Sequence, residues 1–224
     1  MEDFIAELEA QRIAELEAYL ITTNLKDYNL TTDEKQALKD FENLETKKFK
    51  LDELFCIEKT KSFNKNRLTD GNEYDYITRT SLDQGILQQT GFVNKENLNE
   101  PKIWSLGLLQ MDFFYRQKHW YAGQFVRKII PKFNSDIDIE IANYFTTLLN
   151  NRKSKLLSVL VRNVDETFKK TTIELPTKNG EINYKFMQNF IKAIEKLVIK
   201  DVVDFADKKI SLTKKCIKTP CVTK

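Results

Sequence analysis

The sequence has few of the residues from which catalytic and metal sites are usually built. Among 224 residues there are one histidine, three cysteines and four prolines. A single histidine excludes the histidine-rich zinc sites, and no nucleophile lies near His119 in the sequence. Three motifs are also absent: the phosphate-binding GxxxxGK followed by Ser or Thr, the dinucleotide-binding GxGxxG, and the Asn/Asp-Pro-Pro-Tyr of adenine methyltransferases. We therefore predict a non-catalytic chain that binds no metal and no cofactor.

Long apolar runs and paired cysteines are missing too. No run reaches membrane-spanning length, and Glu2 and Asp3 stand where a secretory signal would carry positive charge. An odd number of cysteines without disulfide-dense spacing favours a reducing compartment. Cys216 and Cys221 could form half of a metal clip, but with no further Cys or His nearby we interpret them as incidental thiols. These features predict a cytoplasmic protein.

Charge of neither sign dominates the chain. Lys and Arg total 36 against 33 Asp and Glu, a net charge of +3, so basic groups must act through local clusters. A hydrophobic fraction of 41% and a charged fraction of 31% are ordinary for a folded globular protein. The length suffices for one sizeable domain with appended helices.

The two ends of the chain have helical periodicity. Apolar residues spaced near the helical period predict a spacer helix over 1–24. A charged helical connector follows over 25–48, with Thr31 as N-cap and Glu34 closing a capping box. A C-terminal spacer or dimerisation helix is predicted over 181–212. Its apolar seam consists of Met187, Ile191, Ile194, Val198, Val202 and Phe205, and a tail covers 213–224.

The middle of the chain, residues 49–180, has the pattern of a β-rich domain. Five of the six glycines fall between positions 71 and 123, which marks frequent turns. The predicted elements are strands near Tyr74–Thr80, Phe125–Ile130 and Ile173–Pro176, a helix at 137–150, and a segment at 155–161 that could be strand or helix. The strand at Ile173–Pro176 runs into a turn at Asn179-Gly180. The predicted fold class is α+β, with one β-rich domain flanked by N- and C-terminal helices that pair as a coiled-coil-like spacer.

One segment, residues 115–121, interleaves aromatic and polar side chains. Basic and amide side chains held between aromatic rings suit a surface that contacts phosphates and base edges. We expect Phe113, Phe114 and Phe125 to be buried and Arg116–His119 to be exposed. The alternative is that the aromatic residues only fill the core. The candidate DNA-contacting residues here are Tyr115, Arg116, Lys118, His119 and Trp120.

Two further loops are rich in side chains that can bind DNA. Arg and Lys neutralise phosphates or pair with guanine, Gln pairs with adenine, and Ser contacts either. The candidates in these loops are Lys59, Lys61, Lys65, Arg67, Arg79, Ser81, Gln84 and Gln88. The alternative interpretation is ordinary solvated loops in a chain rich in Lys and Asn.

Several of these segments together resemble the DNA-specificity (S) subunits of type I restriction-modification systems, and half-length relatives with one target-recognition domain. The similarity covers most of the chain through loose, degenerate motifs. The resembling segments are LFCIEKTK (54–61), YITRTSLDQGI (76–86), FFYR (113–116), WYAG (120–123), ANYF (142–145) and IELP (173–176) before the long helix.

This resemblance implies a subunit that reads DNA sequence and has no catalytic activity itself. Full-length members carry two recognition domains separated by paired helices, so a chain with one such domain would be a half-subunit. It would dimerise through its helices and read one half of a bipartite target in double-stranded DNA. The family implies docking to methyltransferase subunits that use S-adenosylmethionine, and in full complexes to a nuclease and translocase subunit that uses ATP and Mg²⁺.

Two other functions remain open at this point. A protein-interaction scaffold would use the helices to dimerise and bind partners, and its domain would never touch DNA. A defence component with its own activity would need a catalytic constellation that the sequence does not offer. Basic loops gathered on one face of the domain would distinguish DNA recognition from the scaffold.

Overall fold

The computed structural model describes residues 2–23, 25–133 and 137–218. The helices are α1 (Glu2–Thr22), α2 (Thr32–Asp40), α3 (Leu51–Leu54), α4 (Ile139–Asn150), α5 (Lys153–Leu157), α6 (Val164–Lys170) and α7 (Tyr184–Lys218). The strands are β1 (Thr46–Lys50), β2 (Phe55–Lys59), β3 (Tyr74–Ile77), β4 (Ile86–Thr90), β5 (Ile103–Gly107), β6 (Asp112–Arg116), β7 (Trp120–Ala122), β8 (Val126–Pro131), β9 (Thr172–Lys178) and β10 (Glu181–Ile182). The chain forms two compact units, one of Met1–Asn43 with Asn189–Lys224 and one of Leu44–Gln188.

The helical unit is built on an antiparallel pair of helices. Early α1 lies beside late α7, where Glu9 Oε2 is 3.8 Å from Lys209 Nζ. Further along α1, Leu20 packs on Val203 and Ala206. The helix predicted from the apolar spacing near the amino terminus is therefore present as α1, and it finds the partner that its thin apolar stripe requires.

Most of the apolar seam predicted for α7 lies outside its contact with α1, although Phe205 lines a cleft with Leu8 and Ile13 of α1. Val198 is 71% exposed, and Val202 and Phe205 are exposed as well. The buried positions Val203 and Ala206 directly follow two seam residues, which rotates the contact face by about 100° around the helix. Small side chains occupy this face because they let the two helices approach closely. The helix also continues to Lys218, beyond the predicted 212, while Cys221 lies outside the described residues.

Thr31 caps α2 as predicted. Its hydroxyl accepts from Glu34 N at 3.2 Å, and the Glu34 carboxylate accepts from Thr31 N at 2.8 Å. The helix expected to continue to residue 48 instead ends at Asp40, and Thr46–Lys50 forms β1. β1 pairs antiparallel with β9, whose buried apolar residues provide the sheet contacts. Tertiary pairing here overrides the helix propensity of a charged segment.

The β-rich unit contains three sheets. Their strand orders are β1-β9-β10, β2-β8-β5-β6 and β4-β3-β7. The main core packs the four-stranded sheet against α4 and α6, and Trp104 lies 5.5 Å from Phe55 and 6.3 Å from Phe145 between ring centroids. The predicted α+β fold class is confirmed. Within the described ranges, no helix has an apolar stretch sufficient to cross a membrane.

Most of the elements predicted in the middle of the chain are present. β9 turns into β10 through Asn179 and Gly180, which have φ of 54° and 83°, as the Asn-Gly type I′ hairpin requires. The ambiguous segment at 155–161 begins in a short helix, α5, and then leaves helical geometry. The aromatic segment is not one loop, because β6 ends at Arg116 and β7 begins at Trp120.

Candidate nucleic-acid interface

The parallel pair β3 and β7 brings two distant loops to one edge of a sheet. Parallel strands end at the same edge, so the segments 78–85 and 123–125 that follow them lie side by side. Gly123 N donates to Ile77 O at 2.8 Å. Beyond this contact, the Arg79 guanidinium lies 5.3 Å from the centre of the Phe125 ring. We call these two segments the β3/β7 edge.

A cleft of about 250 Å³ opens beside the β3/β7 edge. Its exposed polar side chains are Asn64, Lys65, Arg79 and Gln124, and no carboxylate lines it. Among the described residues, no carboxylate pairs with Lys65 or Arg79, since neither forms any of the ion pairs found there. Both cations can therefore bind a phosphate without breaking an ion pair. We call this the amide-lysine cleft.

The floor of the amide-lysine cleft is neutral and closely packed. Tyr76 donates its hydroxyl to Phe63 O at 2.6 Å, and burial raises the pKa of Tyr76, so the phenol stays protonated at neutral pH. At Gly123 a Cβ atom would lie 2.9 Å from the Tyr76 hydroxyl. Glycine is needed there because any side chain would push into the ring that forms the floor.

A second cleft of about 280 Å³ holds the other group of predicted residues. It is lined by Asp75, Gln84, Ile86, Tyr115, Arg116, Gln117 and Lys118. Asp75 and Tyr76 are consecutive in β3 and so point to opposite faces of the sheet. Lys118 Nζ lies 2.9 Å from the buried Asp75 carboxylate. This lysine is already neutralised, so the second cleft suits phosphate less well than the first.

The prediction that Arg116 is an exposed DNA-contacting residue is wrong. The residue is only 4% exposed, because Ser105 of β5 and the turn after β3 surround its guanidinium. Nε donates to Ser105 Oγ at 2.9 Å, and Nη2 donates to the Gln84 carbonyl. Burial lowers the pKa of Arg116 to about 10 although Asp75 and Asp83 act to raise it. The guanidinium thus remains charged at neutral pH, and from its buried position it holds Ser105 and the Gln84 carbonyl by hydrogen bonds.

Trp120 is also buried, so it cannot face DNA as predicted. Its exposure is 0%, and its indole N–H donates to Glu100 O at 3.1 Å. For Trp120 the alternative of a core aromatic is correct. The expected burial of Phe125 is likewise wrong, because it is 48% exposed with φ of 61°. The strand predicted at Phe125–Ile130 begins one residue later, because β8 starts at Val126 and leaves Phe125 in the preceding loop.

The other predicted residues are spread over the unit. Tyr115 is half-buried and lies 4.8 Å from the Trp104 ring. His119 is half-buried, with Nδ1 3.7 Å from the Glu100 carboxylate, and Ser81 donates to Asp112. Lys61 is exposed but pairs with Glu96 at 3.5 Å. The exposed remainder comprises Lys59 at the end of β2, Arg67 in the short 3-10 helix that also holds Lys65, Gln84 in the loop after β3, and Gln88 in β4.

Sequence reasoning missed Asn64, Gln124 and the exposed Leu82. The parallel pairing of β3 with β7 is what brings Gln124 to Arg79, and no local pattern encodes that pairing. The only sequence signal was Gly123-Gln124 directly after an aromatic strand. In the described part of the chain, no three His, Cys, Asp or Glu side chains gather closely enough to hold a metal ion.

The profile of one protein family matches residues 43–205, most of the chain. Its description is "Type I restriction modification DNA specificity domain". The chain belongs to this family. The match includes the whole of the unit that carries the two clefts, Leu44–Gln188. The sequence predicted a role in recognising a DNA target. The description of this family names the same role.

The chain is similar to solved S subunits at low sequence identity. The S subunit of a type I restriction-modification system from M. genitalium is 13% identical, with 94% of this chain and 56% of that chain covered and a TM-score of 0.49. The HsdS subunit from Thermoanaerobacter tengcongensis is 11% identical, with 98% and 53% covered and a TM-score of 0.44. The specificity domain chain thus spans about half the length of these subunits. No curated protein matches its sequence significantly.

Proposed function

We propose that this specificity domain chain is the sequence-reading subunit of a restriction-modification complex, and that the amide-lysine cleft contacts the target duplex. The observation that carries the proposal is the composition of the cleft. Two unpaired cations, Lys65 and Arg79, stand beside two exposed amides, Asn64 and Gln124, with no carboxylate between them. A scaffold that never meets DNA has no need for such a surface.

Phosphate and base contacts divide naturally among these side chains. Lys65 and Arg79 would bind backbone phosphates, which supplies affinity without sequence information. Asn64 and Gln124 would read base edges, since side-chain amides pair with adenine N6 and N7 in the major groove. Lys59 and Arg67, both exposed, would add phosphate contacts along the same duplex.

Two copies of the chain would form a homodimer through α7. Its exposed apolar side chains are Ile194, Leu197, Val198, Val202 and Phe205. A stripe of this size is rarely left facing solvent in a soluble monomer. Two copies would supply two recognition domains, the number that the family resemblance implies for a full-length subunit. Each copy would then read one half of a bipartite target.

The catalytic steps would belong to partner subunits. A methyltransferase subunit would carry S-adenosylmethionine, and in full complexes a nuclease and translocase subunit would use ATP and Mg²⁺. The chain would contribute recognition and positioning in the cytoplasm and no chemistry of its own. Support comes from the family description and from the absence of catalytic motifs in the sequence.

Selection from a random duplex library tests the DNA-reading role. The purified full-length chain is incubated with the library at several salt concentrations, and the bound duplexes are sequenced. Wild type should enrich a defined motif. Lys65→Met and Arg79→Met should weaken binding to every sequence and reduce the salt slope by about 0.9 for each lost phosphate contact. Gln124→Ala should instead relax one position by about 1–3 kcal/mol.

Lys48→Met is the matched control, because Lys48 is exposed on β1 and loses the same charge. If Lys65→Met and Arg79→Met bind DNA as Lys48→Met does, the cleft is not the contact surface. If wild type enriches no motif at all, alone or with a methyltransferase subunit, the proposed function is wrong.

A further inference from the structure

The loop between β3 and β4 contains a turn of unusual backbone conformation. Asp83, Gln84 and Gly85 have φ of 45°, 52° and 81° in succession. Side chains rarely occupy this left-handed region, and two non-glycine residues in a row are rarer still. Such a turn persists only when surrounding contacts determine it. We call residues 81–85 the left-handed turn.

Both ends of strand β6 hold the left-handed turn in place. Asp112, its first residue, accepts a hydrogen bond from Ser81 and pairs with Lys153 at 2.6 Å. Arg116, its last residue, donates to the Gln84 carbonyl from a buried position. Directly after β3, Thr78 N donates to the Gly85 carbonyl at 2.8 Å. The turn is thus fixed before any ligand binds, which removes the ordering cost from binding.

The left-handed turn holds an apolar side chain out in solvent. Leu82 is 79% exposed, the highest value among the large hydrophobic residues whose exposure the structure describes. The Gln84 side chain is exposed two residues further on. A rigid backbone that presents a leucine and an amide is suited to a ligand with an apolar group beside hydrogen-bonding groups. In the major groove an A·T pair offers this combination, the thymine C5-methyl beside adenine N6 and N7.

We propose that Leu82 reads a thymine methyl group of the DNA target and that Arg116 is a positioning residue acting through the left-handed turn. This inference rests on the proposed DNA-reading function and adds a specificity-determining residue to it. A positioning role is compatible with the burial of Arg116, whereas direct contact with DNA is not.

A thymine-to-uracil scan tests the proposal, because uracil pairs as thymine does but lacks the methyl group. The full-length chain is bound to its selected motif, and each thymine is replaced in turn. At one thymine, uracil should weaken wild-type binding by about threefold to fourfold, the value of one buried methyl-sized group. Leu82→Ala should bind the thymine and uracil duplexes equally at that position. Leu160→Ala, another exposed leucine of the same unit, should keep the wild-type difference.

The positioning role is tested on the same duplexes. Arg116→Lys should reduce the thymine preference at the position that Leu82→Ala affects, with an unchanged salt slope. Arg116→Lys could prevent folding. In that case Ser81→Ala, which removes the hydrogen bond from the turn to Asp112 at the opposite end of β6, should give the same result. Leu82 is exposed, so Leu82→Ala should leave the melting temperature unchanged.

The outcomes distinguish failure of the proposed DNA-reading function from failure of the roles assigned to Leu82 and Arg116. A wild-type chain that selects no motif contradicts the proposed function itself. A selected motif without thymine, or with no methyl-sensitive thymine, overturns only the role of Leu82, as does a Leu82→Ala chain that keeps the full preference. If Leu82→Ala loses the preference while Arg116→Lys and Ser81→Ala keep it, the positioning role of Arg116 is overturned.

Discussion

The carboxylate of Glu34 joins the cap of α2 to the long helix α7. It accepts from Thr31 N at 2.8 Å and lies 3.0 Å from Lys196 Nζ. Burial acts to raise its pKa, but the hydrogen bonds from Thr31 and Lys196 and the charge of Lys196 outweigh burial, so the pKa of Glu34 lies below its usual value. A carboxylate with a lowered pKa stabilises the fold above its unfolded-state pKa and loses that effect on acidification.

Glu34→Gln should isolate the charge, because glutamine also closes a capping box. We expect the free energy of unfolding to fall by about 1–2 kcal/mol at pH 7, since a buried hydrogen-bonded charge pair is broken. The difference from wild type should shrink as acidification passes the usual glutamate range and reaches the lowered pKa of Glu34, where its carboxylate becomes protonated. Urea unfolding of the full chain at pH 7 and at acidic pH measures this. Glu42→Gln, an exposed change in the same unit, should have no effect at either pH.

At the residue scale, sequence reasoning identified chemical type better than exposure. Lys65 and Arg79 are exposed, as a DNA-facing residue must be, because charged side chains in a polar loop are usually exposed. Arg116 and Trp120 were misjudged because strand pairing, which long-range contacts decide, sets which side chains face inward. Phe125 was misjudged for the opposite reason. An aromatic residue beside a strand is usually buried, but here the backbone turns it outward to meet Arg79.

At the element scale, α7 has two apolar faces and periodicity alone could not rank them. The predicted seam of large side chains was assigned to a spacer or dimerisation helix, and most of it lies beside the face of α7 that meets α1. The small residues Val203 and Ala206 pack there instead, on Leu20. The parallel pairing of β3 and β7 was equally out of reach, since the two strands are separated by more than forty residues of chain. Capping and turn residues, by contrast, act locally, and Thr31 and Asn179-Gly180 were predicted correctly.

Val198→Asp should separate the proposed dimer into monomers. Val198 is 71% exposed in the single chain, so a charge there costs little in the monomer but would be buried unpaired between two copies. Sedimentation should show a dimer for wild type and a monomer for the variant, with nearly equal melting temperatures at low concentration. Lys208→Asp, which places the same charge on an exposed polar position of α7, should remain dimeric. A wild-type monomer, or a dimeric Val198→Asp chain, would contradict the role of this stripe.

At the scale of the whole molecule, a net charge of +3 is too small to hold DNA by a general field. On the proposed function, affinity would come from local cations such as Lys65 and Arg79 of the amide-lysine cleft, and a single cleft would cover only a short stretch of duplex. One recognition domain alone would therefore discriminate poorly against the many related sites in a genome. Pairing two copies multiplies the discrimination, because both half-sites must then match.

The symmetry of such a pair should appear in the DNA target. A two-fold dimer presents the same reading surface twice, so the motif selected from a random library should be two identical half-sites in inverted orientation. Val198→Asp should select only one half-site and bind the full motif more weakly, because the second binding event is no longer intramolecular. Sequencing of the bound duplexes measures both outcomes. If wild type selects a single asymmetric block, or Val198→Asp still selects the full inverted repeat, recognition does not depend on pairing through α7. Lys208→Asp should select the wild-type motif, which ties any loss of symmetry to the apolar stripe and not to added negative charge.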